Sequence, residues 1–348
     1  MIHFHTLKVK AVEKTTPKSV VITFNIPQDL KETFSFVPGQ HITIKKEING
    51  KEVRRSYSIC SSKENTDFSI GIKEMENGTF SKFAQTIAVG DTFEVYPPEG
   101  HFTFDTKAHS GKNIAAFAAG SGITPIMSIM KDVLNTTDEK FLLVYGNKTL
   151  KETMFHKQIT ELLTKFPSRL SVQFVYSQEE EEGALFGRIE RSTINYMLKN
   201  KHKDTPFGTF YLCGPEAMIE TVSETLLENG IKKEMVKTEF FTTSDDGSTV
   251  EINAEGQTKV KVIIDDEETE FVMDRKKRVL DAVLEEDLDA PYSCQGGICS
   301  SCVARLTEGK VEMIKNQILT DSELEEGLIL TCQAHPTTDS ISIDYDDV

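Results

Sequence analysis

Six cysteines occur in the 348 residues, and three of them fall in the stretch YSCQGGICSSC at 292 to 302. Thiols this close together either pair as disulfides or bind metal. A chain of this length buries ordinary cores without covalent staples. Its N-terminus, MIHFHTLKVKAVEK, alternates like a strand and has no secretory h-region. No run approaches eighteen apolar residues. The expected setting is therefore a reducing cytoplasm, without membrane insertion, where clustered thiols hold metal. Cys294 and Cys299 enclose four residues, Cys299 and Cys302 two, and Cys332 in LTCQAHP follows after twenty-nine more. Zinc sites usually present two short pairs, whereas this spacing suits a 2Fe–2S cluster, with a structural zinc as the alternative. Gly296 and Gly297 would let the loop close on the cluster and turn amide N–H groups toward anionic sulfur.

The elements around the loop agree with that use. KVKVIIDDEETEFVM reads as two alternating strands, RVLDAVLEEDLD as a short helix and SISIDYDD as a closing strand. Residues 258–348 resemble plant-type ferredoxins throughout, with Gln295 departing from the basic or otherwise polar residue common after the first cluster cysteine.

Whatever supplies the cluster with electrons must lie upstream. VVITFNI, HITIKK, RRSYSIC, DFSIGIKEM and TFEVYPPEG are short strands divided by Pro, Gly and Asn, the texture of an antiparallel barrel over residues 1–106. Residues 107–243 change to the buried-looking strands NIAAFAA, FLLVYG, SVQFVY and TFYLCG with helical segments between them, which points to a doubly wound parallel sheet. The polar stretch 244–257 reads as a linker.

Four motifs stand along this frame. Arg55-Ser56-Tyr57-Ser58 offers a cation for phosphate, an aromatic face and two hydroxyls, although a plain surface strand is an equal reading. Asn77-Gly78-Thr79-Phe80-Ser81 either turns backbone amides toward a diphosphate or is an ordinary turn. In AAGSGITPIMSIM, Gly120 and Gly122 allow close backbone approach and Pro125 suits a first helical turn; Pro replaces the third glycine of the dinucleotide fingerprint. YLCGPEAM puts Cys213, Gly214 and Pro215 at a strand's carboxyl end, where Cys213 could equally be a buried apolar residue.

Taken in order with TEFF and the C-terminal cluster loop, these motifs resemble the ferredoxin reductase-like flavoprotein superfamily across nearly the whole chain. The run GKVEM…LTCQAHPTTDSISIDY is similar in particular to the reductase subunits of phenylacetyl-CoA oxygenases. The resemblance implies a multidomain protein: an antiparallel β-barrel flavin domain, an α/β nicotinamide domain and an α+β β-grasp ferredoxin domain. It implies that Arg55, Ser56, Tyr57 and Ser58 bind FAD, with Gly78, Thr79, Phe80 and Ser81 completing the diphosphate site. Gly120, Gly122, Thr124, Pro125, Cys213, Gly214 and Pro215 would line the NAD(P)H channel, and Ser58, Cys213 and Glu239 would flank the reacting rings. Phe241 would lie with Glu239 in an E-x-F motif, unless a one-residue slip exchanges it with Phe240. Electrons would pass from NAD(P)H through FAD to the cluster and on to a diiron monooxygenase of the phenylacetyl-CoA type. The alternatives are a ring-hydroxylating dioxygenase or other ferredoxin-dependent acceptor, and a cluster-bearing carrier that oxidises no NAD(P)H.

Charge and one loop bear on partners. Residues 257–348 hold 21 acidic and 9 basic residues, net −12 of the chain's −16. An acidic module can be steered to a basic patch on an oxygenase component, and it repels nucleic acid. Asn147-Lys148-Thr149 after FLLVYG has no acid, which leans toward NADPH with Lys148 near its 2′-phosphate. YSQEEEEG at 176–183 pulls the other way, being acidic and without an arginine.

Overall fold

Alternation in the first hundred residues produces an antiparallel sheet in the computed structural model, which describes residues 3–64, 67–105, 111–241 and 256–348. Strands β1 (His5–Thr16), β2 (Ser19–Asn25), β3 (His41–Ile48), β4 (Lys51–Ser58), β5 (Phe68–Lys73) and β6 (Thr92–Val95) lie in the order β4-β3-β6-β1-β2-β5. Beyond β4, Ile59 bridges Ile70 and the Cys60 amide donates to Ser69 O at 2.8 Å, so the two edges meet and close a barrel. Closure satisfies backbone groups that an open edge would leave unpaired. Leu7, Val9, Ile22, Phe24, Ile42 and Ile44, two apart along their strands, fill the interior.

The second sheet is parallel. β7 (Asn113–Ala119), β8 (Phe141–Asn147), β9 (Leu170–Tyr176), β10 (Leu185–Phe186), β11 (Phe207–Gly214) and β12 (Val236–Phe240) run in the order β10-β9-β8-β7-β11-β12. Ala116, Ala118, Leu143 and Tyr145 share a core with the helix Ile123–Thr136 on one face. Ala115, Phe117, Leu142 and Val144 meet the helix Glu216–Glu228 on the other. Two covered faces explain why these strands are apolar without alternation. The order reverses at β7, which makes the carboxyl ends of β7 and β11 the place where such a sheet opens a crevice.

Barrel and parallel sheet share material. Val21, Cys60, Phe102 and Phe104 of the barrel region belong to the core built on the helix Ile123–Thr136. Ser128 Oγ donates to Ser61 O at 2.7 Å, Lys131 Nζ to Cys60 O at 3.0 Å, and Tyr211 Oη and Lys237 Nζ both donate to Thr103 O at 2.9 and 2.8 Å. Ile2–Phe241 accordingly forms one compact unit, and the residues that follow form a second.

In the second unit, β13 (Gln257–Ile264) and β14 (Glu267–Asp274) form a hairpin whose two loop residues, Asp265 and Asp266, take φ of 55° and 61°. They are followed by β15 (Val303–Glu308), β16 (Val311–Met313), β17 (Leu328–Leu330), β18 (Ala334–Pro336) and β19 (Ser340–Asp344). The main sheet runs β14-β13-β19-β15-β17, with β13 and β19 parallel, while β16 pairs with β18. The helix Val279–Glu285 buries Val279, Leu280, Ala282 and Val283 against it. The three architectures are thus an antiparallel barrel, a doubly wound α/β sheet and an α+β β-grasp domain. The expected linker at 244–257 lies outside the described residues apart from Gly256 and Gln257, the latter already in β13.

Candidate functional site

Register brings the first polar cluster together. β3 and β4 pair so that His41 faces Ser58, and β11 and β12 pair so that Cys213 stands beside Glu239. Ser58 Oγ donates to Glu239 Oε2 across 3.4 Å, joining the barrel to the parallel sheet. His41 Nδ1 lies 4.0 Å from Glu239 Oε1, and its Nε2 lies 3.5 Å from Glu99 Oε1. The Glu239 side chain is 11% exposed, and burial drives its pKa up to about 7 against the opposing pull of His41 and Ser58. Burial, reinforced by the neighbouring Glu239, holds the Cys213 thiol well above its ordinary value, so it stays protonated. The cluster can therefore hold or release a proton near neutrality beside a thiol that does not ionise.

His41 and Glu99 are absent from the residues that sequence reasoning selects. His41 stands in VPGQHITI, but its place beside Ser58 comes from strand register, and Glu99 arrives through a bridge to His41. The His41 ring rests on Gly100, where a Cβ would lie 2.8 Å from Nδ1.

The remaining sequence-selected residues differ in what they offer. Arg55 is exposed, with Nη1 donating to Arg54 O at 2.6 Å. The Ser56 hydroxyl is 3.2 Å from that of Thr43, and the Tyr57 ring packs 5.5 Å from Phe80. Burial raises the Tyr57 phenol despite Arg55, leaving a protonated hydroxyl. Phe80 is 1% exposed in the barrel core, and Ser81 Oγ accepts from the Met75 amide at 3.0 Å. Thr124 Oγ1 is likewise occupied, donating to Ser121 O at 3.0 Å. Phe80 is thus committed to the core, while Ser81 Oγ, an acceptor here, keeps its own hydrogen to donate to a ligand.

Gly122 lies directly on the β11 terminus: a Cβ there would be 2.1 Å from Cys213 O. Tyr145 Oη donates to Gly120 O at 2.9 Å, and Pro215 caps the helix Glu216–Glu228. Gly120, Gly122, Thr124, Pro125, Cys213, Gly214 and Pro215 thus converge at the switch-point edge. Phe241 packs with the core on the barrel-facing side of the sheet and Phe240 with the opposite core, so Glu239 and Phe241 share a face. Lys148 is exposed at the end of β8, apart from this cluster. A cleft of about 490 Å³ lined by Cys60, Lys131, Phe155 and Lys165 contains none of the selected residues.

In the second unit Cys294, Cys299 and Cys302 occupy the loop before β15, and Cys332 lies between β17 and β18. Cys294 and Cys299 Sγ are 3.0 Å apart, and Cys332 is within hydrogen-bonding reach of Cys294 and Cys302. Four thiols therefore converge, although among the described residues no group of three such side chains is arranged as the shell of a single metal ion. The Gly296 amide donates to Cys294 Sγ at 3.3 Å, and Gln333 Nε2 reaches Cys332 Sγ at 3.8 Å while donating to Gln295 O at 3.0 Å. Gly297, with φ of 74°, lies where a Cβ would be 2.7 Å from Lys315 O. N–H groups directed at clustered sulfur, on a loop drawn tight by glycine, fit an anionic 2Fe–2S cluster.

Three family models match in sequence: an oxidoreductase FAD-binding domain at 6–104, an oxidoreductase NAD-binding domain at 117–224 and a 2Fe-2S iron-sulfur cluster binding domain at 262–337. A component of the 1,2-phenylacetyl-CoA epoxidase of Escherichia coli K12 is 37% identical over 352 aligned residues, covering 99% of each chain. This chain belongs to the ferredoxin reductase-like flavoproteins with a C-terminal 2Fe–2S domain. The reductase is also 33% identical to the ferredoxin reductase component of 3-ketosteroid-9-alpha-monooxygenase from Rhodococcus rhodochrous, over 97% of this chain and 96% of that one. Among solved structures, phthalate dioxygenase reductase matches over 98% of both chains with a TM-score of 0.61 at 21% identity. An intact type IV self-sufficient cytochrome P450 monooxygenase matches 98% of this chain and 41% of its own, with a TM-score of 0.72 at 21% identity. At that identity the structural likeness establishes the fold. The reductase is an oxidoreductase with FAD-binding, NAD-binding and 2Fe–2S domains. Among its described residues no helix is long and apolar enough to cross a membrane.

Proposed function

We propose that this reductase draws electrons from NADPH through FAD to a 2Fe–2S cluster and delivers them singly to an oxygenase component of the phenylacetyl-CoA epoxidase kind, a diiron monooxygenase. The full-length 37% identity to the Escherichia coli epoxidase component carries this reading. Residues 1–106 serve as the flavin module, 107–243 as the nicotinamide module and 258–348 as the cluster module, joined by 244–257.

Bound FAD supplies the step-down from an electron pair to single electrons that a 2Fe–2S cluster requires. The chain's own residues bind and orient. Arg55 and the backbone of Gly78–Ser81 hold the diphosphate, Tyr57 packs beside the ring system, and Ser58 presents its hydroxyl at the ring edge. Gly120–Pro125 and Cys213–Pro215 seat the nicotinamide, with Gly122 and Gly214 keeping the floor bare of side chains. Glu239, poised near pH 7 and backed by His41, holds the proton nearest that floor. Cys294, Cys299, Cys302 and Cys332 bind the cluster, and the net charge of −12 over residues 257–348 favours docking on a basic face of the acceptor.

Anaerobic rapid mixing of the loaded protein with NADPH tests the path. Flavin bleaching followed by cluster bleaching is expected, and in a separate aerobic assay NADPH, O2, phenylacetyl-CoA and the epoxidase's oxygenase component should together yield epoxide and water. A flavin that neither NADPH nor NADH reduces overturns the reading.

A further inference from the structure

Gln295, which departs from the plant-type pattern after the first cluster cysteine, also has an uncommon backbone. Its φ of 53° lies in the left-handed region, which side chains other than glycine, asparagine and aspartate seldom enter. Strain of this kind persists where surrounding contacts hold it. The contact comes from the other cysteine-bearing segment: Gln333 Nε2 donates to Gln295 O at 3.0 Å and to Cys332 O at 2.8 Å. Both acceptors are carbonyl oxygens, so only the NH2 end of the Gln333 side chain can face them.

The root of that side chain is itself fixed. The Gln333 amide donates to Leu330 O at 2.9 Å, and its carbonyl accepts from the Ile314 amide at 3.1 Å. Gln333 is 4% exposed, and its Cγ passes under Gly297, where a Cβ would lie 3.1 Å from it. The absent side chain at Gly297 thus leaves the room through which Gln333 reaches Gln295. One buried amide thereby joins the loop of Cys294, Cys299 and Cys302 to the segment of Cys332.

The same nitrogen lies 3.8 Å from Cys332 Sγ. Of its two hydrogens, one is committed to Gln295 O and the other is shared between the carbonyl and the sulfur of Cys332. A thiol sulfur accepts weakly, whereas a ligating thiolate carries charge and draws an N–H more strongly. Reduction of a cluster adds negative charge to its ligands, so a donor at this place stabilises the reduced form more than the oxidised one.

We propose that Gln333 is a positioning residue of the 2Fe–2S site, tying the two cysteine-bearing segments together and raising the cluster's potential through its N–H to the Cys332 sulfur. The proposal rests on the cluster assignment and is independent of which nucleotide donates electrons and which protein accepts them.

The test is an anaerobic dithionite titration, with redox mediators, of the full chain loaded with FAD and cluster. Gln333→Met has similar length and no N–H. It should move the cluster about threefold toward the oxidised form at a given poise, roughly 28 mV at 59 mV per tenfold, and should speed iron loss to a chelator. If Gln333→Met assembles no cluster, adding Gln295→Gly should restore it, because glycine holds a positive φ unaided, and the restored cluster should show the lower potential. An unchanged potential in Gln333→Met, or a double variant that still takes up no iron, overturns the proposal alone. A wild type that takes up no iron overturns the cluster assignment and the proposal with it.

Discussion

Replacing Glu239 by Gln keeps the size and hydrogen-bonding capacity of the side chain and removes its titration. The raised pKa means that the folded protein retains a proton which the unfolded chain surrenders near 4.5. The associated stability is fully present below about pH 4.5 and is lost as the pH rises through about 7. At about 1.36 kcal/mol per pH unit, that interval corresponds to roughly 3 kcal/mol, undiminished by solvent because the side chain is 11% exposed. His41, 4.0 Å away, works against the shift without cancelling it. Urea unfolding of the FAD-loaded protein at about pH 5 and about pH 8.5 should therefore show Glu239→Gln gaining roughly 3 kcal/mol on the wild type between the two conditions. A stability difference that is the same at both pH values would refute the argument from burial.

Gly122→Ala pushes a methyl to 2.1 Å from Cys213 O, against the rigid Cys213–Gly214 peptide, and should cost about 1–3 kcal/mol in thermal unfolding while slowing nicotinamide-dependent flavin reduction. Ser128→Ala strips the fully buried Ser61 carbonyl of its 2.7 Å donor and should cost about 1–3 kcal/mol, whereas Tyr211→Phe leaves Lys237 still donating to Thr103 O and should cost less; equal losses in denaturant titrations would contradict this ranking. Cys299→Ser should remove bound iron and visible cluster absorbance and abolish cytochrome c reduction, with reduction of a two-electron dye preserved. Unchanged iron content would exclude Cys299 as a ligand.

Patterns that repeat along the chain were legible, and contacts that depend on register were not. NIAAFAA became β7 without a residue's difference, because a strand covered on both faces writes itself as an unbroken apolar run. The hairpin KVKVIIDDEETEFVM and the closing strand SISID likewise follow from alternation. β10 is two residues long and β12 is half-buried throughout, so neither has a period to detect, and it is β12 that delivers Glu239. Spacing alone gathered the four cysteines. The His41–Glu239–Ser58 group needed the pairing of β3 with β4 and of β11 with β12, which no single string contains.

The core shared by Val21, Cys60, Phe102 and Phe104 with the helix Ile123–Thr136 also bears on how such proteins can be recombined. A crossover placed between the two nucleotide-binding sheets would cut through one hydrophobic interior and strand the Ser61, Cys60 and Thr103 carbonyls that the other sheet's side chains satisfy. Phe241 is the last residue of the compact unit that holds this interior. The barrel and the parallel sheet are therefore a single transferable part, a flavin–nicotinamide block that travels whole.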